Sequence, residues 1–377
     1  MRRLLWLLPV LALCGCANHW SSGRGPLFYP DRVGYDEGAS AGASPGGGPE
    51  AVLTRHSPEG PVRDCQPEVV LHDGQPWLYF SSDREGDGFN LYRRRLGTWA
   101  VERLTHLPGD EFWPRVSPDG RWLAFAADAR GDWDLYLLDL DNLSAPQLLT
   151  SPSREDDIQP AWSPDGLRLA YAAWSPTVAD WAIHGLTFSD AARYAPPQPQ
   201  PRGPTLIAAP AAKANAAEAA EAGLRTVHQR WLLFTAGGSQ VTGMKPCWNP
   251  AGGDVLAYQE PRRDKQAYQG IKLYTFSSGL VTTLTPPRGY GAIQPAFDAL
   301  GSRLVYLTSG KSASLLEAGD GIAISDLTGT VVQDLRNPAS RGRIADPCLV
   351  RLADGEHLFF TLVDDDAEAI CSVRLGD

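Results

Sequence analysis

Positive charge is scarce in this chain. Its 377 residues hold 34 Lys and Arg against 44 Asp and Glu, a formal charge of −10. After Arg2 and Arg3 no basic run offsets that balance, which argues against a nucleic-acid partner, since phosphate recognition depends on clustered cations. The apolar stretch near the N-terminus, Leu4 to Leu13, covers ten residues, whereas a permanent bilayer helix needs roughly 20. Six cysteines form no C-x-x-C pair, so neither a thiol redox motif nor a zinc ribbon is expected. Seven histidines form no H-E-x-x-H motif and no short pair, and the sequence predicts no metal and no cofactor. Methionine is nearly absent, with 2 against 12 Trp, which points to rigid aromatic packing positions. What is plentiful is turn chemistry, in 38 Gly and 31 Pro.

The short apolar stretch suits a secretory signal over residues 1–15, with Arg2 and Arg3 as its positive flank. It ends in Leu13-Cys14-Gly15-Cys16, which resembles the bacterial lipobox: small Gly15 precedes Cys16, the expected lipidation site. A plain signal peptide with incidental cysteines is the alternative. More than one acyl chain would make the anchoring stable, and Ala17 after the cysteine resembles an outer-membrane sorting choice. Residues 16–49 are rich in Gly, Ser and Pro and read as a flexible tether with a reach of roughly 30 Å. An oxidising compartment permits disulfides among Cys65, Cys247, Cys348 and Cys371, and the sequence assigns no pairs.

An internal repeat sets the expected fold. Trp122-Leu123-Ala124-Phe125 follows Ser117-Pro118-Asp119-Gly120, and Leu169-Ala170-Tyr171 follows Ser163-Pro164-Asp165-Gly166. Weaker copies follow Asp73-Gly74, Ala251-Gly252, Leu300-Gly301 and Asp354-Gly355. A proline stands ahead of each turn, at Pro67, Pro114, Pro160, Pro246, Pro295 and Pro347, so the count of copies is six. Each copy pairs a tight turn with apolar residues two apart, the spacing that puts side chains on one face of a strand. Third strands are expected at Phe89–Arg93, Trp133–Leu138, Trp181–Leu186, Ile271–Phe276, Ile322–Leu327 and Ile370–Val373, and short fourth strands end in Leu-Thr at Thr105, Thr150 and Thr285. Four-stranded units at this period make an all-β, six-bladed β-propeller over residues 50–377. The last unit lacks a fourth strand, and Glu50–Thr54 carries its ending, so the N-terminal strand is expected to complete the last blade and close the ring.

The P-x-W-S-P-D-G-x-x-L-A-F pattern, with Asp134-Leu135-Tyr136 on the third strand, resembles the repeats of the TolB-type propeller family. The resemblance covers residues 50–377, strongest in the second and third blades. It implies an envelope protein that binds other proteins. The chain departs from that family by offering only residues 17–49 where TolB carries an α/β domain, and by its lipobox. The family's specific partners are therefore not carried over.

The third blade departs from the period. Between its third strand and a fourth expected at Arg230–Thr235 lie about 40 extra residues, 189–229. They contain a proline-rich run, Pro196–Pro201, and an alanine-rich run, Ala211–Ala222, of helical propensity. Connectivity places this insertion, the tether and the C-terminus on the face of the Pro-Asp-Gly turns, leaving the funnel face open to a partner. Catalytic signatures are sparse: two G-x-S-x-G strings lie in the tether with neither strand nor helix beside them. The residue before each proline gives the candidate site. Gln66, Trp113, Gln159, Lys245, Gln294 and Asp346 are expected to ring the funnel mouth as a partner-binding surface, with Glu111, Asp157 and Arg343 beside it. The expected function is a lipid-anchored, monomeric envelope scaffold that binds a protein or peptide segment. A glycan-active propeller enzyme (lyase or glycosidase) and a purely structural envelope element are the alternatives.

Overall fold

The computed structural model describes residues 52–377 except 151–154, 176–179, 189–205, 208–224, 226, 261–269, 285–290, 310–318, 339–341, 365–366 and 376–377. The signal segment, the tether with Cys16 and the alanine-rich run lie outside the described residues. Within them, 25 strands form six separate antiparallel sheets and no helix occurs. Blade I holds β2 (Asp64–His72), β3 (Gln75–Ser82), β4 (Asn90–Arg95) and β5 (Glu102–Arg103). Blade II holds β6 (Glu111–Val116), β7 (Trp122–Ala127), β8 (Asp134–Asp139) and β9 (Gln147–Leu148). Blade III holds β10 (Asp157–Trp162), β11 (Arg168–Ser175), β12 (Asp180–Phe188), β13 (Leu206–Ile207) and β14 (Val227–Leu232). Blade IV holds β15 (Met244–Trp248), β16 (Val255–Gln259), β17 (Ile271–Thr275) and β18 (Leu280–Leu284). Blade V holds β19 (Gly291–Phe297), β20 (Arg303–Ser309), β21 (Gly321–Asp326) and β22 (Val331–Arg336). Blade VI holds β23 (Arg343–Leu352), β24 (Gly355–Asp364), β25 (Ala367–Arg374) and the closing strand β1 (Leu53–Arg55). The protein is a six-bladed β-propeller.

The two-residue period explains why blades stack. In β7, Leu123 and Phe125 pack with Tyr79 and Leu91 of blade I. The intervening Trp122, Ala124 and Ala126 pack with Leu169 and Tyr171 of blade III. Each middle strand thus sends alternate side chains to the preceding and the following blade, and both faces are buried. The turns are held locally. Ser117 Oγ accepts from Trp122 N–H at 2.9 Å and bonds to Asp119, while Gly120 takes φ 75°, a conformation that suits glycine. Asn249 and Asp298 perform the Ser117 role in the degenerate turns, accepting from Ala251 N–H (2.8 Å) and Ser302 N–H (2.7 Å).

Ring closure follows the expected route. β1 pairs antiparallel with β25, Leu53 opposite Val373, and His56 N–H donates to the Ile370 carbonyl at 2.7 Å. Blade III differs from expectation in two ways. Its fourth strand is Val227–Leu232 rather than Arg230–Thr235, because the chain turns at Gly237-Gly238 and bridges Phe234 to Gln240 instead of extending the ladder. Leu206–Ile207, inside the insertion, adds a fifth strand outside it. The first residue described after the insertion's long undescribed stretch, Arg225, is pinned to blade III: its Nη2 donates to the Gly166 carbonyl at 2.7 Å and its guanidinium lies 4.2 Å from the Phe188 ring centre. The turn face therefore carries the start of β1, the end of β25 and the exit of the insertion.

Candidate functional site

Every inner strand breaks register at one place, between Cys65 and Glu68, Phe112 and Arg115, Ile158 and Ala161, Met244 and Cys247, Ile293 and Ala296, and Ala345 and Cys348. The residue at the break is the one before the proline. Gln66, Trp113, Gln159, Lys245, Gln294 and Asp346 all take φ between 50° and 57°. That left-handed conformation is uncommon for residues other than glycine and costs on the order of 1–3 kcal/mol where the surroundings impose it. Here a β-bulge imposes it six times, turning each bulge N–H away from its own sheet.

Five of those N–H groups donate to a side chain of the preceding blade. Trp113 N–H donates to Gln66 Oε1 (2.6 Å), Lys245 N–H to Gln159 Oε1 (2.8 Å) and Asp346 N–H to Gln294 Oε1 (2.6 Å). Gln294 N–H donates to Gln259 Oε1 (3.1 Å) and Gln66 N–H to Thr361 Oγ1 (2.9 Å). The three glutamines of blades I, III and V thus hold the backbone of the blades that follow them. Blade II offers Trp113 and Ala126 at the matching positions, side chains with no acceptor. The amide Nε2 of Gln159 is buried with no partner among the described residues.

The bulge residues of blades II, IV and VI behave differently. Lys245 Nζ lies 3.0 Å from Asp346 Oδ1 and 5.7 Å from the Trp113 ring centre. Thr361 Oγ1 donates to Asp346 Oδ2 at 3.4 Å. Three alternate blades therefore converge on the axis with an aromatic ring, an ammonium and a carboxylate. Lys245 keeps 15 % of its side chain exposed and Asp346 3 %, while Trp113 is 3 % exposed as a residue. The expected ring is brought together, but as a closed floor in which Lys245 is the most accessible member.

Two residues deeper, the channel carries a second layer. Arg115 Nη1 lies 3.4 Å from Glu68 Oε2. Burial pushes the Cys247 thiol up to about 11 and the Cys348 thiol up to about 12, so both stay protonated at neutral pH and are poor nucleophiles. Cys65, Cys247, Cys348 and Cys371 are all free thiols.

Glu111 and Asp157, expected beside the funnel, are buried between blades. Glu111 accepts from Thr105 Oγ1, from Leu107 N–H (2.9 Å) and from Leu91 N–H (3.2 Å). Burial, only partly opposed by those bonds, lifts its carboxyl to about 7. Thr150 joins Leu135 N–H, Asp134 and Asp157 in the same way, and burial raises Asp157 well above the carboxylate range. The Leu-Thr endings at Thr105 and Thr150 are thus staples from one blade to the next, and Thr285 lies outside the described residues. Arg343 sits at the rim, 3.4 Å from Asp320. Among the described residues no group of three or more His, Cys, Asp or Glu is placed to hold a metal ion. Sequence reasoning missed Gln259 and Thr361, which lie on second strands outside the aligned proline positions.

This arrangement has known counterparts. No family model matches the chain. A 92-residue segment is 35 % identical to the Tol-Pal system protein TolB of Azoarcus, covering 24 % of this chain and 19 % of that protein. A 113-residue segment is 31 % identical to an uncharacterized protein of Agrobacterium fabrum, covering 28 % and 38 %. Both matches span well under two thirds of those relatives. The structure of a putative TolB from Agrobacterium tumefaciens superposes with a TM-score of 0.50 at 15 % identity, over 84 % of this chain and 92 % of that one. The chain is a TolB-like β-propeller. An oligogalacturonate lyase from Vibrio parahaemolyticus also superposes, with a TM-score of 0.51 at 13 % identity over 86 % of this chain and 94 % of that one. At such identities the likeness concerns the fold alone.

Proposed function

We propose that this TolB-like propeller is a protein-binding scaffold of the bacterial envelope, secreted through residues 1–15, lipidated at Cys16 and held on the periplasmic side of the outer membrane. The observation that carries the reading is the convergence of Trp113, Lys245 and Asp346 on the funnel axis. Lys245, the most accessible member of that floor, suits a peptide segment carrying a carboxylate, which would compete with Asp346 for the ammonium. The surrounding glutamines hold the floor rigid, so a bound segment meets a preformed surface. The match to a Tol-Pal system protein supports an envelope setting. Capture of envelope proteins by the purified chain tests the reading. Replacing Trp113 and Lys245 by Ala should lower recovery of the partner at unchanged folded content. Unchanged recovery counts against the funnel assignment.

A second reading, a glycan-active enzyme, draws on the likeness to the oligogalacturonate lyase. Incubation with envelope and extracellular glycans, oligogalacturonides included, tests it. Turnover lost in Asp346→Ala or Asp157→Ala would replace the scaffold reading. A purely structural element would instead change membrane integrity on deletion without yielding a ligand.

A further inference from the structure

We propose that the turn face of the propeller rests on a phospholipid surface, leaving the funnel face directed away from it. Among the described residues seven large apolar side chains are exposed: Val52, Leu71, Trp99, Leu143, Leu280, Leu300 and Val332. Leu71 and Leu300 flank inner-strand turns, and Trp99, Leu143, Leu280 and Val332 lie at or beside third-to-fourth strand connections. Val52 precedes β1. Every one of these positions belongs to the turn face, and the funnel face has none among the described residues.

Their distribution argues for a plane. They come from blades I, II, IV and V and from the closing strand of VI, so they stand around a disc instead of lining one groove. A peptide or helix would meet only a fraction of them; a flat apolar boundary meets them together. Trp99, 66 % exposed, is held outward from beneath by the Arg94 guanidinium, 5.0 Å from its ring, which also donates to the Thr98 carbonyl. Exposed Arg95, Arg121 and Arg351 share the face with exposed Asp73, Asp119 and Asp165, so its charges are mixed and attraction to anionic lipid is not the driving term. β1, the strand to which the tether and Cys16 are joined in sequence, starts on this same face. The inference takes its orientation from the anchor reading above, but the contact itself depends only on the face.

The test uses the mature chain, residues 16–377 carrying Cys16→Ser, floated with phosphatidylcholine vesicles. Trp99→Ser, Leu143→Ser and Leu280→Ser added together should lower the vesicle-bound fraction about tenfold or more, since each removes exposed apolar area that lipid would cover. Arg130→Ser on the funnel face should leave it unchanged. Adding phosphatidylglycerol should alter binding by less than about threefold. Equal flotation of the triple variant and its parent overturns the proposal. So does a parent that fails to float and instead sediments as a dimer that the triple variant abolishes, which would make the face a contact between copies. Mass analysis of the membrane-extracted wild-type chain tests acylation separately, so loss of the anchor reading is distinguishable from loss of this one.

Discussion

Lys245→Met isolates the axial ion pair. The ammonium lies 3.0 Å from Asp346 Oδ1, and the two side chains are 15 % and 3 % exposed. Removing one partner of a buried pair leaves the other charge in a poor solvent and costs about 3–5 kcal/mol. The partial exposure of Lys245 puts the expected loss at about 3 kcal/mol, and the weak bond from Thr361 at 3.4 Å offsets little of it. Asp346→Asn alone should cost about 2 kcal/mol. The double variant replaces the pair by a neutral contact beside Trp113 and should cost no more than about 2 kcal/mol, giving a coupling energy of about 3 kcal/mol. Urea unfolding at pH 7.5, followed by tryptophan fluorescence, measures all three against the wild type. Losses that add to within about 0.5 kcal/mol would refute the reasoning, because independent sites add in that way.

Gln294→Ala removes the acceptor of the buried Asp346 N–H, and the expected loss is about 1–3 kcal/mol in the same assay, largely restored by Gln294→Glu. A loss below about 0.5 kcal/mol would mean that the bulge N–H needs no glutamine. Stability should also fall as pH rises. The Glu111 carboxyl stays protonated up to about 7 in the folded protein and ionises near 4.5 when unfolded, so the folded state holds the extra proton between those values. Stability present below about pH 4.5 is then lost as pH climbs to about 7, on the order of 3 kcal/mol for this group. Glu111→Gln should flatten the slope between pH 5 and pH 8, and identical slopes in the two proteins would sink that assignment.

The sequence was most legible where physics repeats. Six prolines, six turns and six apolar pairs predict the blades, and the third strands fall within two or three residues of their expected bounds at nearly every end. The missing fourth strand and Glu50–Thr54 predict the closure, seen at Leu53–Arg55. Less legible was what each pre-proline residue does. Alignment placed Gln66 and Lys245 as equivalents, yet one holds a neighbouring backbone and the other meets Asp346, 101 residues away. Contacts of that separation leave no local pattern. Glu111 was misread for a better reason: a carboxylate at the start of an inner strand is close to the channel in sequence logic. The signal that places it between blades was Thr105, six residues earlier, whose hydroxyl bonds to it.

The alternation of blades has a further consequence. At five of the six left-handed positions before proline the N–H is received by a side chain of the preceding blade, which helps to hold the strained conformation. In the I–II, III–IV and V–VI pairs, a glutamine on the earlier blade receives the bulge N–H of the later one. In those later blades the side chain at the bulge is Trp113, Lys245 or Asp346, and these meet one another at the axis instead of holding the next backbone. Sixfold geometry is thus divided into three supports and three axial positions, and the axial positions hold Trp113, Lys245 and Asp346. Replacing those three changes what the axis presents, whereas replacing the glutamines weakens the ring that presents it.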